Sequence, residues 1–491
     1  MLPLFYLLPT VNHVGFTVMP CTTGVHGLPC TTGVHGLPCT LRGAWLPTVC
    51  CLLILLLATP GLSAPMGWAA IYGGANSDRA HSIQQTTDGG YIVAGETRSF
   101  GAEENDVWVL KLRVDGTVEW QKTYGGVEGE WAESIQQTVD GGYVVAGYTE
   151  SFAARETNGW VLKLRPDGDV EWQKAYGGVK KDAIASVQQT VDEGYIVAGR
   201  TKSFGADQED PWVLKLRVDG TVEWQKTYGG GDGDTANCVR QTSDGGYVVA
   251  GYTGRFVPGD EATDLWVLKL RPNGAVEWQR AYGGSRWDAA SCIQQTNDGG
   301  YVVAGGTRPI GTQLLDTWIL KLRPDGAVEW QKTYGGAGYE MVCSIKCASD
   351  GGYVVAGERF SREGGHGDAW VLKLRADGSV EWEKVYGGNS WDIANCIQQT
   401  LDGGYIVAGW TDSFAKDSNL LVLRLRPDGS VTPSCNLPRA VSSTVGDSHA
   451  VTYNTNTVTR DSQVVPRDLS TLVQDTDASV NFLCPPTLVE E

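Results

Sequence analysis

The side chains in this chain that could do chemistry are carboxylates and aromatic rings rather than nucleophiles or bases. Beyond residue 65 only His81, His366 and His449 remain, too far apart for metal-ligand spacing or a histidine-based triad. There is no Gly-X-Ser-X-Gly elbow and no phosphate loop, and the many Gly-Gly pairs belong to turns. An acid instead recurs at one point of seven repeats: Asp78, Glu130, Asp182, Asp234, Asp288, Glu340 and Asp392. A second series follows at Asp106, Asp210, Asp264, Asp316 and Asp368, with Asn158 and Asn419 in the remaining repeats. Such residues accept backbone N–H bonds in tight loops, and a ring of them is also suited to Ca²⁺, the one cofactor the pattern allows. A carboxylate pair for glycoside hydrolysis could be drawn from these fourteen positions, but any choice of two is arbitrary.

Directly before the acid stand Trp287, Tyr339 and Trp391, with Trp131 displaced by one position and Trp410 opening a later loop. Other repeats have Ser77, Lys181 or Gly233 there, so the repeat itself does not require an aromatic. Rings beside carboxylates suit a sugar, which offers an apolar face and hydroxyls together. The candidate ligand site is therefore Trp287, Asp288, Tyr339, Glu340, Trp391, Asp392 and Trp410, with no catalytic residue assigned. Two other roles compete: covering loop backbone, and anchoring a protein partner.

The elements that must position these residues are set by a repeat. Trp-X-X-X-Tyr-Gly-Gly opens at Trp68, Trp120, Trp172, Trp224, Trp278, Trp330 and Trp382, at spacings of 52 residues with one of 54. A period near 50 marks a solenoid, propeller or array. Within one unit, Ala-His-Ser-Ile-Gln-Gln-Thr, Tyr91-Ile-Val-Ala-Gly, Trp108-Val-Leu-Lys-Leu-Arg and Val118-Glu-Trp-Gln-Lys-Thr-Tyr read as four strands, A to D. Asp-Gly turns separate A from B and C from D; the Arg-Pro-Asp-Gly forms at Arg165 and Arg323 suit a bulged hairpin with a left-handed glycine. In that register Lys111 would face Glu119 across the hairpin. The B–C and D–A links are longer and more varied, and both leave the same face, where function is expected.

The ends predict closure. The chain enters the repeat on a fourth-strand sequence, Trp68-Ala-Ala-Ile-Tyr72, and leaves it with a unit lacking its own, since Gly429-Ser-Val-Thr-Pro-Ser stands in that place. The expected fold is all-β: a seven-bladed β-propeller of four-stranded antiparallel blades, closed by the N-terminal strand. The motif resembles the quinoprotein-like propeller superfamily. It is more similar to secreted bacterial and archaeal propellers built from Ser-Ile-Gln-Gln-Thr-X-Asp-Gly-Gly-Tyr-Val-Val-Ala-Gly repeats, some of which have been called endoglucanase-like or lectin-like. Quinone-dependent dehydrogenase chemistry does not carry over, because a vicinal cysteine pair occurs only at Cys50–Cys51 and no base stands beside a quinone site.

Outside the repeat, residues 1–65 carry a duplicated nonapeptide from Cys21 and an apolar run, Val49 to Ala58, with Arg42 ahead. This reads as a secretory signal or an uncleaved anchor. The expected organisation is a leader, 1–65, a propeller, 66–432, and a Ser/Thr-rich tail, 433–491. The tail is laid along the last blade or hangs as a flexible stalk. Five of twelve cysteines precede residue 52. Cys238, Cys292 and Cys396 take the place of Ser82, Ser134, Ser186 and Ser344 and are read as small buried residues; Cys435 and Cys484, flanking the tail, are the pair expected to bridge. A net charge of −18 argues against nucleic acid and anionic membranes as partners. The expectation is an exported, monomeric binding or display module for a glycan. A scaffold for an extracellular protein is the alternative, and a glycan-cleaving enzyme comes third.

Overall fold

The computed structural model describes residues 67–484 except 102–103, 154, 206–207, 230–232, 255–262, 285, 309–313, 337, 361–364, 433–434, 436, 441–443, 448–450, 455–459, 462–466, 469–471 and 476–478. The expected signal segment lies outside the described residues. Blade 1 consists of strands Asp78–Gln85, Tyr91–Thr97, Asp106–Leu112 and Val118–Gly125, each antiparallel to the next. Blades 2 to 6 repeat this over 130–176, 182–227, 235–283, 288–335 and 339–386. Blade 7 takes its first three strands from 392–425 and its fourth from Trp68–Gly73, which pairs with Asn419–Leu425. The fold is thus the seven-bladed propeller closed by its N-terminal strand, and no helix occurs among the described residues.

The recurrent motif is the bond between blades. Tyr72 donates its hydroxyl proton to the Gly116 carbonyl, 2.6 Å away in the C–D turn of the next blade. Tyr124, Tyr176, Tyr228, Tyr282, Tyr334 and Tyr386 do the same to Gly168, Gly220, Gly274, Gly326, Gly378 and Gly429. The motif tryptophan lies on the same turn: Trp68 donates its indole N–H to Val114, and its ring would sit 3.0 Å from a Cβ at Gly116, which has φ +84°. Both the positive φ and the ring require glycine there. The Gln-Gln pair is the corresponding inner fastening. Gln84 accepts the Gln137 N–H at 2.6 Å in the next blade, and Gln85 accepts the Leu401 N–H at 2.9 Å in the previous one.

Trp108, Leu110 and Leu112 are fully buried between sheets, and so is Lys111. Opposite Lys111 in register is Trp120 rather than Glu119, which the Lys111 Nζ reaches at 3.5 Å. Its shorter bond, 2.8 Å, goes to Asp88 in the A–B turn. The same pairing of a buried lysine with a half-exposed aspartate recurs in blades 2 to 6, and blade 7 substitutes Arg424 with Asp402.

The tail neither hangs free nor stops at the last blade. Its short strands add a fifth strand to every blade, in the order 6, 5, 4, 3, 2, 1, 7: Pro438–Ala440, Thr444–Asp447, Val451–Asn454, Arg460–Asp461, Arg467–Asp468, Leu472–Asp475 and Ser479–Cys484. Each runs antiparallel to the outer strand it covers. The tail therefore circles the propeller backwards. At the end Phe482 meets Trp68 edge to face, and Cys484 is bonded to Cys435 across a Cα separation of 5.8 Å. The disulfide closes the belt into a covalent hoop. All seven outer edges, which would otherwise offer unpaired backbone, are capped.

Candidate functional site

Each innermost strand carries a β-bulge at the same point. In blade 1 Ala80 pairs with Gly95 and Ser82 with Ala94, so His81 is the extra residue. The bulged residues of the other blades are Glu133, Ala185, Asn237, Ser291, Cys343 and Asn395. A bulge re-aims the side chain it carries. All seven line one axial cavity of about 340 Å³ at the mouth of the channel. Glycine opposite the bulge is obligatory, since a Cβ on Gly95 would lie 1.8 Å from the Arg79 carbonyl oxygen.

A second variable position follows the strand-B glycine in each blade, at Glu96, Tyr148, Arg200, Tyr252, Gly306, Glu358 and Trp410, and Tyr148 and Arg200 line the cavity. Trp131 stacks on Tyr148 with centroids 4.8 Å apart and planes at 20°. The Arg79 guanidinium lies 4.5 Å over the Trp410 ring. His81 forms an ion pair with Glu96. Burial opposes the imidazolium, but the Glu96 carboxylate prevails and lifts His81 to about 9. Asn237 and Asn395 donate side-chain N–H to the backbone of the next blade, each at 2.8 Å. The mouth thus combines aromatic faces, fixed charges and amides around one cavity.

Deeper in the channel two more rings follow. The first is Ser82, Ser134, Ser186, Cys238, Cys292, Ser344 and Cys396; the second is Gln84, Gln136, Gln188, Arg240, Gln294, Lys346 and Gln398. Cys238 and Cys292 are buried, and Cys396 is partly so.

The acids singled out in the sequence belong to the scaffold. Asp78 accepts bonds from Thr97, from the Ser99 hydroxyl at 2.8 Å and from the Gly74 N–H at 2.8 Å, tying the D–A loop to the B–C loop. Asp182 and Asp392 repeat the pattern. Asp288, Glu340 and Asp392 are 3%, 0% and 0% exposed, buried beside the more exposed neighbouring rings. Burial raises Asp288 to about 7; burial likewise raises Glu340 to about 7 against the pull of Arg359. Among the described residues no cluster of three or more His, Cys, Asp or Glu is arranged to hold a metal.

The aromatic candidates divide. Trp410 is partly buried beneath the Arg79 guanidinium and does not line the axial cavity. Trp287 is half-buried over Gly306, filling the place where blade 5 has no side chain, and the Tyr339 hydroxyl turns to the Met341 sulfur at 3.3 Å. Trp391 is 37% exposed and stacks on Phe360 at 5.8 Å, with His366 at its edge. The sequence reading did not single out the bulge residues. Their signal was variation at one position inside a strand whose other positions repeat.

The fold and channel define the class, a seven-bladed propeller with a variable mouth, and are consistent with a binding or scaffold module. The "Domain of unknown function (DUF5122) beta-propeller" family matches residues 401–434, which supports a propeller repeat family. No curated protein matches the sequence. Among solved structures, two of Sqt1 from Chaetomium thermophilum align at 12% and 10% identity and TM-scores of 0.43 and 0.41. They cover 79% and 73% of this chain and 91% and 98% of theirs. A protein of unknown function from Dyadobacter fermentans aligns at 11% identity and TM-score 0.40, over 74% of this chain and 99% of its own.

Proposed function

We propose that this chain is an exported binding module that takes a glycan end at the channel mouth. The observation that carries the reading is the set of seven bulges: blades otherwise built alike present six residue types to one axial cavity, with only asparagine used twice. Scaffolding does not require that variety, whereas a ligand lacking sevenfold symmetry does. Its 340 Å³ falls within the roughly 300–1,000 Å³ of small-molecule pockets. Tyr148, with Trp131 stacked on it, offers a ring face, and His81, Glu133, Arg200 and Ser291 offer hydroxyl partners. The Cys435–Cys484 bond suits an oxidising compartment, which supports export.

A glycan array on the full chain, followed by calorimetry on the best ligand, tests this. Trp131→Ala with Tyr148→Ala should weaken binding at least about tenfold, the loss of one stacking contact or more. Unchanged affinity in that variant, with loss in Trp391→Ala, would move the site to the outer loops. A second reading, a protein scaffold, is favoured by one observation, the exposed Trp391 stacked on Phe360. Absence of sugar binding together with a partner lost on Trp391→Ala would select it. Product release from a bound oligosaccharide would instead select the glycan-cleaving enzyme.

A further inference from the structure

Two of the seven positions in the serine ring of the channel hold cysteines on adjacent blades, 4 and 5, with their sulfurs 3.6 Å apart. Neither is bonded to the other, and both border the deeper cavity of about 350 Å³, as do Arg240 and Lys346. The glutamine ring just below is otherwise uniform, so its only two cations flank this pair. The Cys292 sulfur receives the Gln294 amide N–H at 3.9 Å as well as the neighbouring thiol. The Cys238 sulfur accepts the Ile293 N–H at 3.5 Å.

We propose that Cys238 and Cys292 form a redox-active pair in the channel, with Cys292 as the thiolate that reduces a hydroperoxide and Cys238 as the resolving thiol. The cations and hydrogen-bond donors around Cys292 favour its ionised form, and hydrogen bonding from Cys238 is the largest cause drawing the Cys292 thiol well down. In the first step the Cys292 sulfur attacks one peroxide oxygen. An S–O bond forms as the O–O bond breaks, and the departing alkoxide or hydroxide takes a proton to leave as alcohol or water. In the second step Cys238 gives up its proton and attacks the sulfenic sulfur. The S–S bond forms and the hydroxyl leaves as water, so two thiols are oxidised by two electrons and one peroxide is reduced. The sulfurs must close from 3.6 Å to about 2.05 Å, a side-chain rotation within one ring.

The test treats the full chain, its Cys435–Cys484 bond intact and Cys238 and Cys292 as free thiols, with limiting hydrogen peroxide and maps cysteines by mass spectrometry without reduction. The expected first product is a peptide pair joined through Cys238 and Cys292, formed on the order of tenfold faster than oxidation of the exposed Cys347, as one pKa unit of extra thiolate implies. In Cys238→Ser a β-diketone probe should label Cys292 as sulfenic acid; in Cys292→Ser it should leave Cys238 unlabelled. Both variants restore the serine that blades 1 to 3 carry, so folding is retained. Oxidation of Cys347, Cys343 or Cys396 ahead of the pair overturns the proposal. So does labelling of Cys238 in Cys292→Ser.

Discussion

At the scale of single residues, what distinguishes a strong contact from a weak one here is burial. The hydroxyl of Tyr124 and the carbonyl of Gly168 meet inside the molecule at 2.6 Å. Nearby, Lys122 and Asp169 meet at 2.8 Å, with Asp169 54% exposed. Tyr124→Phe strands a buried acceptor and should cost about 1–2 kcal/mol in denaturant unfolding. Asp169→Asn should leave the unfolding midpoint essentially unchanged, since solvent screens the pair. Equal losses would show that the tyrosine is not the fastening between blades. The acid positions belong to the same scale. The carboxylates of Asp78, Asp182 and Asp392 already serve loop hydrogen bonds, so a chelator is expected to leave the melting temperature unchanged, and a fall would restore the Ca²⁺ reading.

Among the elements, the bulge and the belt each rest on one substitutable feature. The bulge needs Gly95, whose Cβ position is taken by backbone, so Gly95→Ala should cost about 1–3 kcal/mol or more and disturb the His81 side chain. Retention of wild-type stability would mean the bulge relaxes freely. The belt strands are two to six residues long and hold seven edges only as a connected series. The disulfide closes a loop with a sequence separation of 49, worth about 4 kcal/mol on chain-entropy grounds. Cys435→Ser, or mild reduction, should release the tail to limited proteolysis before the blades unfold. Simultaneous loss of tail and blades would make the belt part of the core instead. The strands of each blade were legible in the sequence through alternation and Asp-Gly turns. The belt was not, because its strands are short, are recruited to the open backbone edges of the blades and carry no repeat; only its two cysteines hinted at a fixed end.

For the whole molecule, the buried charges set the response to pH. Burial lifts Asp288, Glu340 and Glu358 to about 7. Each contributes fully below its unfolded value near about 4, and the contribution is lost as pH rises through 7. His81, lifted to about 9 by Glu96 against its burial, contributes below about 6.5 and loses its effect as pH rises through 9. Asp88, Asp244 and Asp298 shift the other way. Burial opposes their charge, but Lys111, Lys269 and Lys321, with threonine hydroxyls, hold them at about 2. Their stabilisation is present above about 4 and lost as pH falls through 2. The three sets together place the maximum melting temperature near about pH 4–5, declining through neutrality, and the −18 charge acts in the same direction. Calorimetry from pH 2 to 9 checks this; a maximum at pH 7 or above contradicts it.

The sequence by itself determined the blades, their number and the closure of the ring. Each of these is encoded locally, once per copy, in alternation, turns and a displaced fourth strand. Tertiary structure decided the rest. His81, Glu133 and Ser291 stand apart in the chain and become neighbours only when the ring closes around its axis. Their joint position depends on an extra residue in each inner strand, a feature of hydrogen-bond register that the run of residue types does not show. The acids point the other way. Regular in the sequence, they looked like a site, and folding turned them inward because loop amides needed acceptors.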